Sequence, residues 1–154
     1  MVVIYTDGGF RADKGGGWAW VAVDLDEARV LNEGSGIIRR GQMPHYVRGA
    51  YYAECFAIAK ALESMHAEGA TIRTDVLQLQ RTLNDFVRGR LQRPLLPIEQ
   101  RVSELLHAKR ARLEQWNRQQ DQWAERADRL ANRRQKNNPH KWRRRKSKSR
   151  HYSR

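Results

Sequence analysis

Four acidic residues in this chain stand in settings that suggest chemistry rather than solvation. Asp7 and Asp75 each close a short β-rich run within the same Thr-Asp dipeptide, Thr6-Asp7 and Thr74-Asp75. Glu54 sits in an apolar helical stretch with Ala57, Ile58 and Ala61 at i+3, i+4 and i+7, so it points along the stripe that such a helix buries. Asp128 follows Ala127 and shares a flank with Ala124 and Ala131. Carboxylates gathered at a half-buried edge repel one another, and must either take up protons or find a counter-ion. Hard divalent cations such as Mg²⁺ are that counter-ion, because they take oxygen ligands and keep several waters. Two such ions about 3.5–4 Å apart activate a water and stabilise the leaving oxygen of a phosphodiester. An Asp, a Glu and two further Asp residues in one place are therefore a set that suits metal-dependent phosphodiester cleavage. Taken singly, each acid has a plainer reading: an Asp after a strand is most often a turn or helix-cap device, and a Glu on an apolar stripe is usually an edge residue.

The elements that would have to bring these acids together are legible in the hydrophobic pattern. Residues 2–6 are apolar on both faces, as a central strand is. Gly15-Gly16-Gly17 marks a turn into a second strand at 18–23, and 30–37 reads as a weaker third. Tight turns between them predict an antiparallel meander. Residues 38–49 read as loop, and 50–66 as a helix with Ala50, Ala53, Ala57, Ile58, Ala61, Leu62 and Met65 facing the core. A short strand at 71–74, a helix at 76–87, a Gly/Pro linker at 89–97, a helix at 98–108, a fifth strand at 112–116 and a last helix at 121–134 follow. The order predicts an α/β domain with a mixed sheet covered by helices. A right-handed crossover through the helix at 50–66 makes the strands at 2–6 and 71–74 parallel neighbours. Asp7 and Asp75 then emerge at the same carboxyl edge, where ligand sites of such sheets gather.

Charge divides the chain. The 154 residues carry a net +13. Eleven Lys and Arg residues and no acid lie in 133–154, which leaves residues 1–132 near +2. The sequence thus predicts one catalytic domain over 1–134 and a basic tail over 135–154 that is disordered on its own. A polyanion is the natural partner of the tail, with Arg143, Arg144, Arg145, Lys146 and Lys148 on phosphates and Trp142 stacking on a base or sugar. Mean hydropathy is −0.86, and no apolar run approaches the roughly 18 residues of a membrane span. The first residues show no secretion signal. The single Cys55 excludes an internal disulfide or a Cys-rich zinc site and fits a reducing cytoplasm, with a nuclear address available in Arg143-Arg144-Arg145-Lys146 if the host is eukaryotic. The five His residues are scattered without metal-ligand spacing. Nothing points to an oligomer, so a monomer is expected.

The motifs, taken in order, resemble those of the type 1 ribonuclease H family. Ile4-Tyr5-Thr6-Asp7-Gly8-Gly9 with Gly15-Gly16-Gly17-Trp18 looks like its opening. Tyr52-Ala53-Glu54-Cys55-Phe56-Ala57 resembles the helix carrying its catalytic Glu, and Thr74-Asp75 its next catalytic Asp. Ala127-Asp128-Arg129-Leu130-Ala131 is similar to its closing motif. The match is collinear over about residues 2–133. The resemblance implies a ribonuclease H-like fold, a five-stranded mixed sheet flanked by helices. It also implies cutting of the RNA strand of an RNA–DNA hybrid with two Mg²⁺ or Mn²⁺ ions held by Asp7, Glu54, Asp75 and Asp128. In that assignment Asp7 bridges the two ions, Glu54 and Asp75 hold the first, and Asp128 completes the second site.

The chain departs from the family pattern in four places. Residues 116–124 lack the family's loop His, with Asn117 and Arg118 in that region. The Asn-rich segment before the catalytic Glu reads Arg48-Gly49-Ala50-Tyr51, and the residues after the second Asp are Val76-Leu77. The linker at 89–97 is too short for a basic handle helix, a task the basic tail is placed to take over. These substrate-side changes motivate two other readings: a nuclease of this fold for branched DNA or structured RNA, as in resolvases and integrases, or a non-catalytic nucleic-acid-binding module.

Overall fold

The computed structural model describes residues 1–12, 15–44, 47–117, 119 and 121–139. Five strands and four helices follow in the order β1 (Val2–Arg11), β2 (Gly15–Asp24), β3 (Arg29–Ile38), α1 (Gly49–Leu62), β4 (Thr71–Thr74), α2 (Leu77–Val87), α3 (Pro97–Ala108), β5 (Arg112–Gln115) and α4 (Gln122–Lys136). The strands form one mixed sheet in the order β3-β2-β1-β4-β5. The meander β1-β2-β3 is antiparallel, and β1 pairs with β4, and β4 with β5, in parallel. The central position of β1 and its parallel neighbour β4 are as the pattern predicts.

Two cores lie on the two faces of the sheet. Ile4, Ala22 and Ile72 pack with Ala53, Ile58, Leu62, Leu79 and Val102 beneath α1, α2 and α3. Val3, Tyr5, Val21 and Val23 pack with Ala124 and Ala127 beneath α4. The two-residue alternation of β1 thus sends even-numbered residues towards α1 and odd-numbered residues towards α4. Cys55 is fully buried in the first core, where burial pushes its thiol up to about 12. It is a small core residue rather than a nucleophile.

The structure departs from the sequence reading at element ends. All three meander strands are longer than predicted: β1 runs past Asp7 to Arg11, because the Gly-rich segments Gly8-Gly9 and Gly15-Gly16-Gly17 pair with each other instead of ending the strands. Helix α1 ends at Leu62, four residues before the predicted end, so Met65 is 82% exposed rather than in the core. Helix α4 continues to Lys136, with Gln135 and Asn138 buried against the glycines of β1 and β2. The Asn138 side-chain amide donates to the Gly16 carbonyl at 3.0 Å and to the Ile38 carbonyl at 3.3 Å. The folded unit therefore reaches past 134. The sequence hides this, because Gln135 and Asn138 sit among Arg and Lys and read as tail. The predicted tail residues for nucleic acid, Trp142, Arg143, Arg144, Arg145, Lys146 and Lys148, lie outside the described residues.

Glu99 is the least expected core residue. It is 0% exposed, and both of its oxygens are taken. The Arg93 guanidinium donates to Oε1 at 2.7 Å and to Oε2 at 3.0 Å, Tyr51 donates to Oε2 at 2.6 Å, and the Leu96 amide donates to Oε1 at 2.8 Å. This network ties the linker before α3 to α1. Burial alone would push the Glu99 pKa up, but the bonds from Arg93, Tyr51 and Leu96 outweigh it and hold the carboxyl below its ordinary 4.5.

Candidate active site

The carboxyl end of β4, beside the middle of β1, puts Asp7 and Asp75 into one cleft. Asp7 continues the α4-facing row of Val3 and Tyr5 and is 8% exposed. In β4, Ile72 faces the α1 core, so Arg73 turns to the other face. There its guanidinium donates to the Tyr5 hydroxyl at 2.9 Å and lies 3.6 Å from the centre of the Trp116 ring. The parallel register pairs Tyr5 with Arg73. Carried two residues further, it sets Asp7 beside Asp75, on strands spaced about 4.8 Å apart. Both carboxylates line one narrow cleft with Tyr5, Thr6, Arg73, Thr74, Trp116 and Ala124.

Glu54 starts close to β1 because of a glycine. A Cβ on Gly8 would collide with the Ala53 carbonyl and stand 2.7 Å from the Glu54 amide nitrogen. Only a residue without a side chain lets α1 lie this close to β1, so the peptide that starts Glu54 is pressed against the neighbour of Asp7. Asp128 is positioned from the other side. Asp121 caps α4, its Oδ1 accepting from the Trp123 and Ala124 amides at 2.9 and 3.2 Å, while its Oδ2 accepts from the Trp116 indole at 2.8 Å. The cap fixes α4 against β5 and sets Ala124 at the cleft; Asp128 lies one helical turn further along. Glu54, Asp75 and Asp128 are half-buried, and none of the four acids is without a partner.

Of the four predicted acids, Asp7 in β1 and Asp75 after β4 line one cleft, while Glu54 in α1 starts from backbone pressed against β1 and Asp128 lies one turn along α4 from the cleft residue Ala124. They do not form a closed shell as they stand: among the described residues no three Asp, Glu, His or Cys side chains gather tightly enough to hold one metal ion. The donors are nevertheless all carboxylate oxygens, the type that suits a hard divalent cation.

Arg73 is a cleft residue that the sequence reading passed over. Its signal was the alternation of Thr71-Ile72-Arg73-Thr74, which puts Arg73 on the same face as Asp75. Its Nε makes no hydrogen bond and stands 3.6 Å from Glu114, an ion-pair rather than a hydrogen-bond distance. Val76 occupies the position after Asp75 because it is core, 4% exposed. Asn117, at the start of the loop where the family's His is missing, accepts from the Gln119 amide at 3.0 Å; Arg118 lies outside the described residues.

Comparison with solved structures decides the architecture. The RNase H1 of the halophilic archaeon Halobacterium salinarum is 25% identical, with a TM-score of 0.65 over 86% of this chain and 96% of that one. The chain has the ribonuclease H fold. The N-terminal RNase H domain of a Mycobacterium tuberculosis protein is 24% identical, with a TM-score of 0.64 over 87% of this chain and 92% of that one. An RNase H1 isolated from compost, solved in complex with an RNA/DNA hybrid, is 22% identical, with a TM-score of 0.58 over 86% of this chain and 95% of that one. No family model matches the sequence, and no curated protein matches it. The resemblance to the ribonuclease H family read from the motifs is borne out, in the fold that these neighbours share with the chain.

Proposed function

We propose that this protein is a metal-dependent endonuclease that hydrolyses the RNA strand of RNA–DNA hybrids. The observation that carries the reading is the placement of Asp7 and Asp75 in one cleft of a ribonuclease H fold, with Ala124, one helical turn before Asp128, lining the same cleft and the Glu54 backbone pressed against Gly8. Asp7, Glu54, Asp75 and Asp128 would hold two Mg²⁺ or Mn²⁺ ions, which supply an activated water and a counter-charge for the leaving oxygen. Asp7, the most buried, anchors the site from the sheet. Glu54 and Asp75 orient the water, and Asp128 closes the set from α4. Arg73 fixes the floor of the cleft through Tyr5 and Trp116. The basic residues at and beyond 133, including Arg143, Arg144, Arg145, Lys146, Lys148 and Trp142, hold the backbone without reading sequence.

A labelled substrate panel tests the reading. With Mg²⁺ or Mn²⁺ the full chain should cut the RNA strand of a hybrid internally and spare the DNA strand, and Glu54→Gln should abolish cutting while leaving the fold intact. Cutting confined to branched DNA or structured RNA would move the protein to the resolvase-like reading that its substrate-side departures also fit. No cutting of any member in either metal would leave a binding module.

A further inference from the structure

Beside the acid edge, and separate from it, lies a groove of about 540 Å³ lined by Arg11, Arg129, Asn132, Arg133, Gln135 and Lys136. It holds four cations and no acid. Its walls come from two elements locked together. Gln135 Oε1 stands 2.7 Å from where a Gly9 side chain would begin, so the end of α4 rests on β1. Arg11, on the same strand face as Asp7 and Gly9, projects from one side by alternation. Arg129, Arg133 and Lys136 form one stripe at i, i+4 and i+7 on the other.

Neighbouring cations are engaged differently. Arg126 Nε donates to Glu33 at 2.7 Å and Arg134 Nε to the Ser35 hydroxyl at 3.1 Å. Among the described residues none of the four groove cations forms an ion pair. Cations held together around one groove repel each other, and a polyanion relieves that repulsion. The stripe from Arg129 to Lys136 extends about 10 Å along the helix, too long for a single phosphate and suited to several in a row.

We infer that this groove binds the sugar-phosphate backbone of the nucleic acid whose scissile phosphate lies at the acids, and that Arg11, Arg129, Arg133 and Lys136 are the side chains that meet its phosphates. Along β1, Arg11 is about 14 Å from Asp7, at roughly 3.4 Å per residue. Along α4, Lys136 is about 12 Å from Asp128. Phosphates of one strand advance about 3.4 Å per step along the duplex axis. The groove therefore takes backbone three to four steps from the acids, with the Asn132 amide as an uncharged donor among the cations. Asn138 pins the chain at this end of the sheet, and the sequence beyond it continues with Lys141, Arg143, Arg144 and Arg145, so the groove is where the contribution of the tail would begin. The inference rests on the nuclease reading only for the phosphate at the acids.

The test is binding of the full chain to a fluorescent RNA/DNA hybrid in EDTA, followed by anisotropy from about 50 to 200 mM salt. A variant combining Arg129→Gln, Arg133→Gln and Lys136→Gln should bind about tenfold or more weakly, and its salt slope should fall by about 0.9 for each phosphate no longer neutralised. The Arg129→Lys, Arg133→Lys pair should retain most of the affinity, and Arg126→Gln should change neither quantity. Unchanged affinity and slope in the folded triple variant overturn the groove, as does a tail variant (Arg143→Gln, Arg144→Gln, Arg145→Gln, Lys146→Gln) that accounts for the entire slope. Cutting by the wild type with Mg²⁺ separates the two claims. A hybrid bound through the groove but never cut ends the nuclease reading and spares the groove; a hybrid that is cut while the triple variant binds it as tightly does the reverse.

Discussion

Asp7 owes its place to three neighbours on β1. Tyr5 anchors the strand beneath α4, Gly8 lets α1 approach, and Gly9 makes room for Gln135. Asp75 is its counterpart just after β4, in the same cleft as Arg73 two residues before it. Asp75→Asn should therefore weaken Mg²⁺ binding and turnover by more than the roughly 10–100-fold typical of groups that only support a metal ligand. Removing one of several like charges should leave thermal stability unchanged or raised. Calorimetric Mg²⁺ titration, single-turnover cutting and a thermal melt check the three parts. At this scale the sequence was most legible where a residue type and its spacing had few uses: the two Thr-Asp steps, whose acids line one cleft. It was least legible for Glu99, whose place behind Pro97 at the start of a helix reads as an ordinary first-turn acid. Only the approach of Arg93, Tyr51 and Leu96 shows it to be buried.

At the scale of elements, close backbone approach does the positioning. Gly8→Ala puts a methyl group into the Ala53 carbonyl, so α1 must retreat from β1. The expected cost is about 1–3 kcal/mol of unfolding free energy, read by urea denaturation. Cutting should also fall, because Glu54 moves with α1. The Glu99 network should show in the pH dependence of stability. Its folded pKa is depressed, so the stabilisation from ionised Glu99 is fully present above the ordinary 4.5 and is lost as pH falls through the lower folded value. The stability gap between wild type and Glu99→Gln should be flat from neutral pH down to about pH 5 and should close below that, as followed by melting temperature. The helices and strands were legible because their apolar periods are clean. Their ends were not. The paired glycines of β1 and β2 look like turns but form sheet, where small residues admit α1 and α4. The stripe of α1 continues on paper to Met65, although the helix stops at Leu62.

For the whole molecule, charge alone shows a cationic C-terminal end, but not that the helix and its buried contacts run on to Lys136 and Asn138. Gln135 and Asn138 belong to the sheet although they are embedded in basic sequence, and they tie the cationic end to the same side of the protein as the acids. In the proposed reading, hydrolysis and grip would fall on adjoining surfaces of one small fold: the carboxylates of Asp7 within β1 and Asp75 just after β4, and the Arg and Lys stripe along α4. The decisive comparison is the rate at which the full chain cuts a labelled RNA–DNA hybrid in Mg²⁺, set against that of Asp7→Asn. The expected result is internal cutting of the RNA strand by the wild type and a loss of at least about a hundredfold in the variant, with hybrid binding in EDTA retained. Equal rates for the two proteins would contradict a carboxylate-held metal site at this edge.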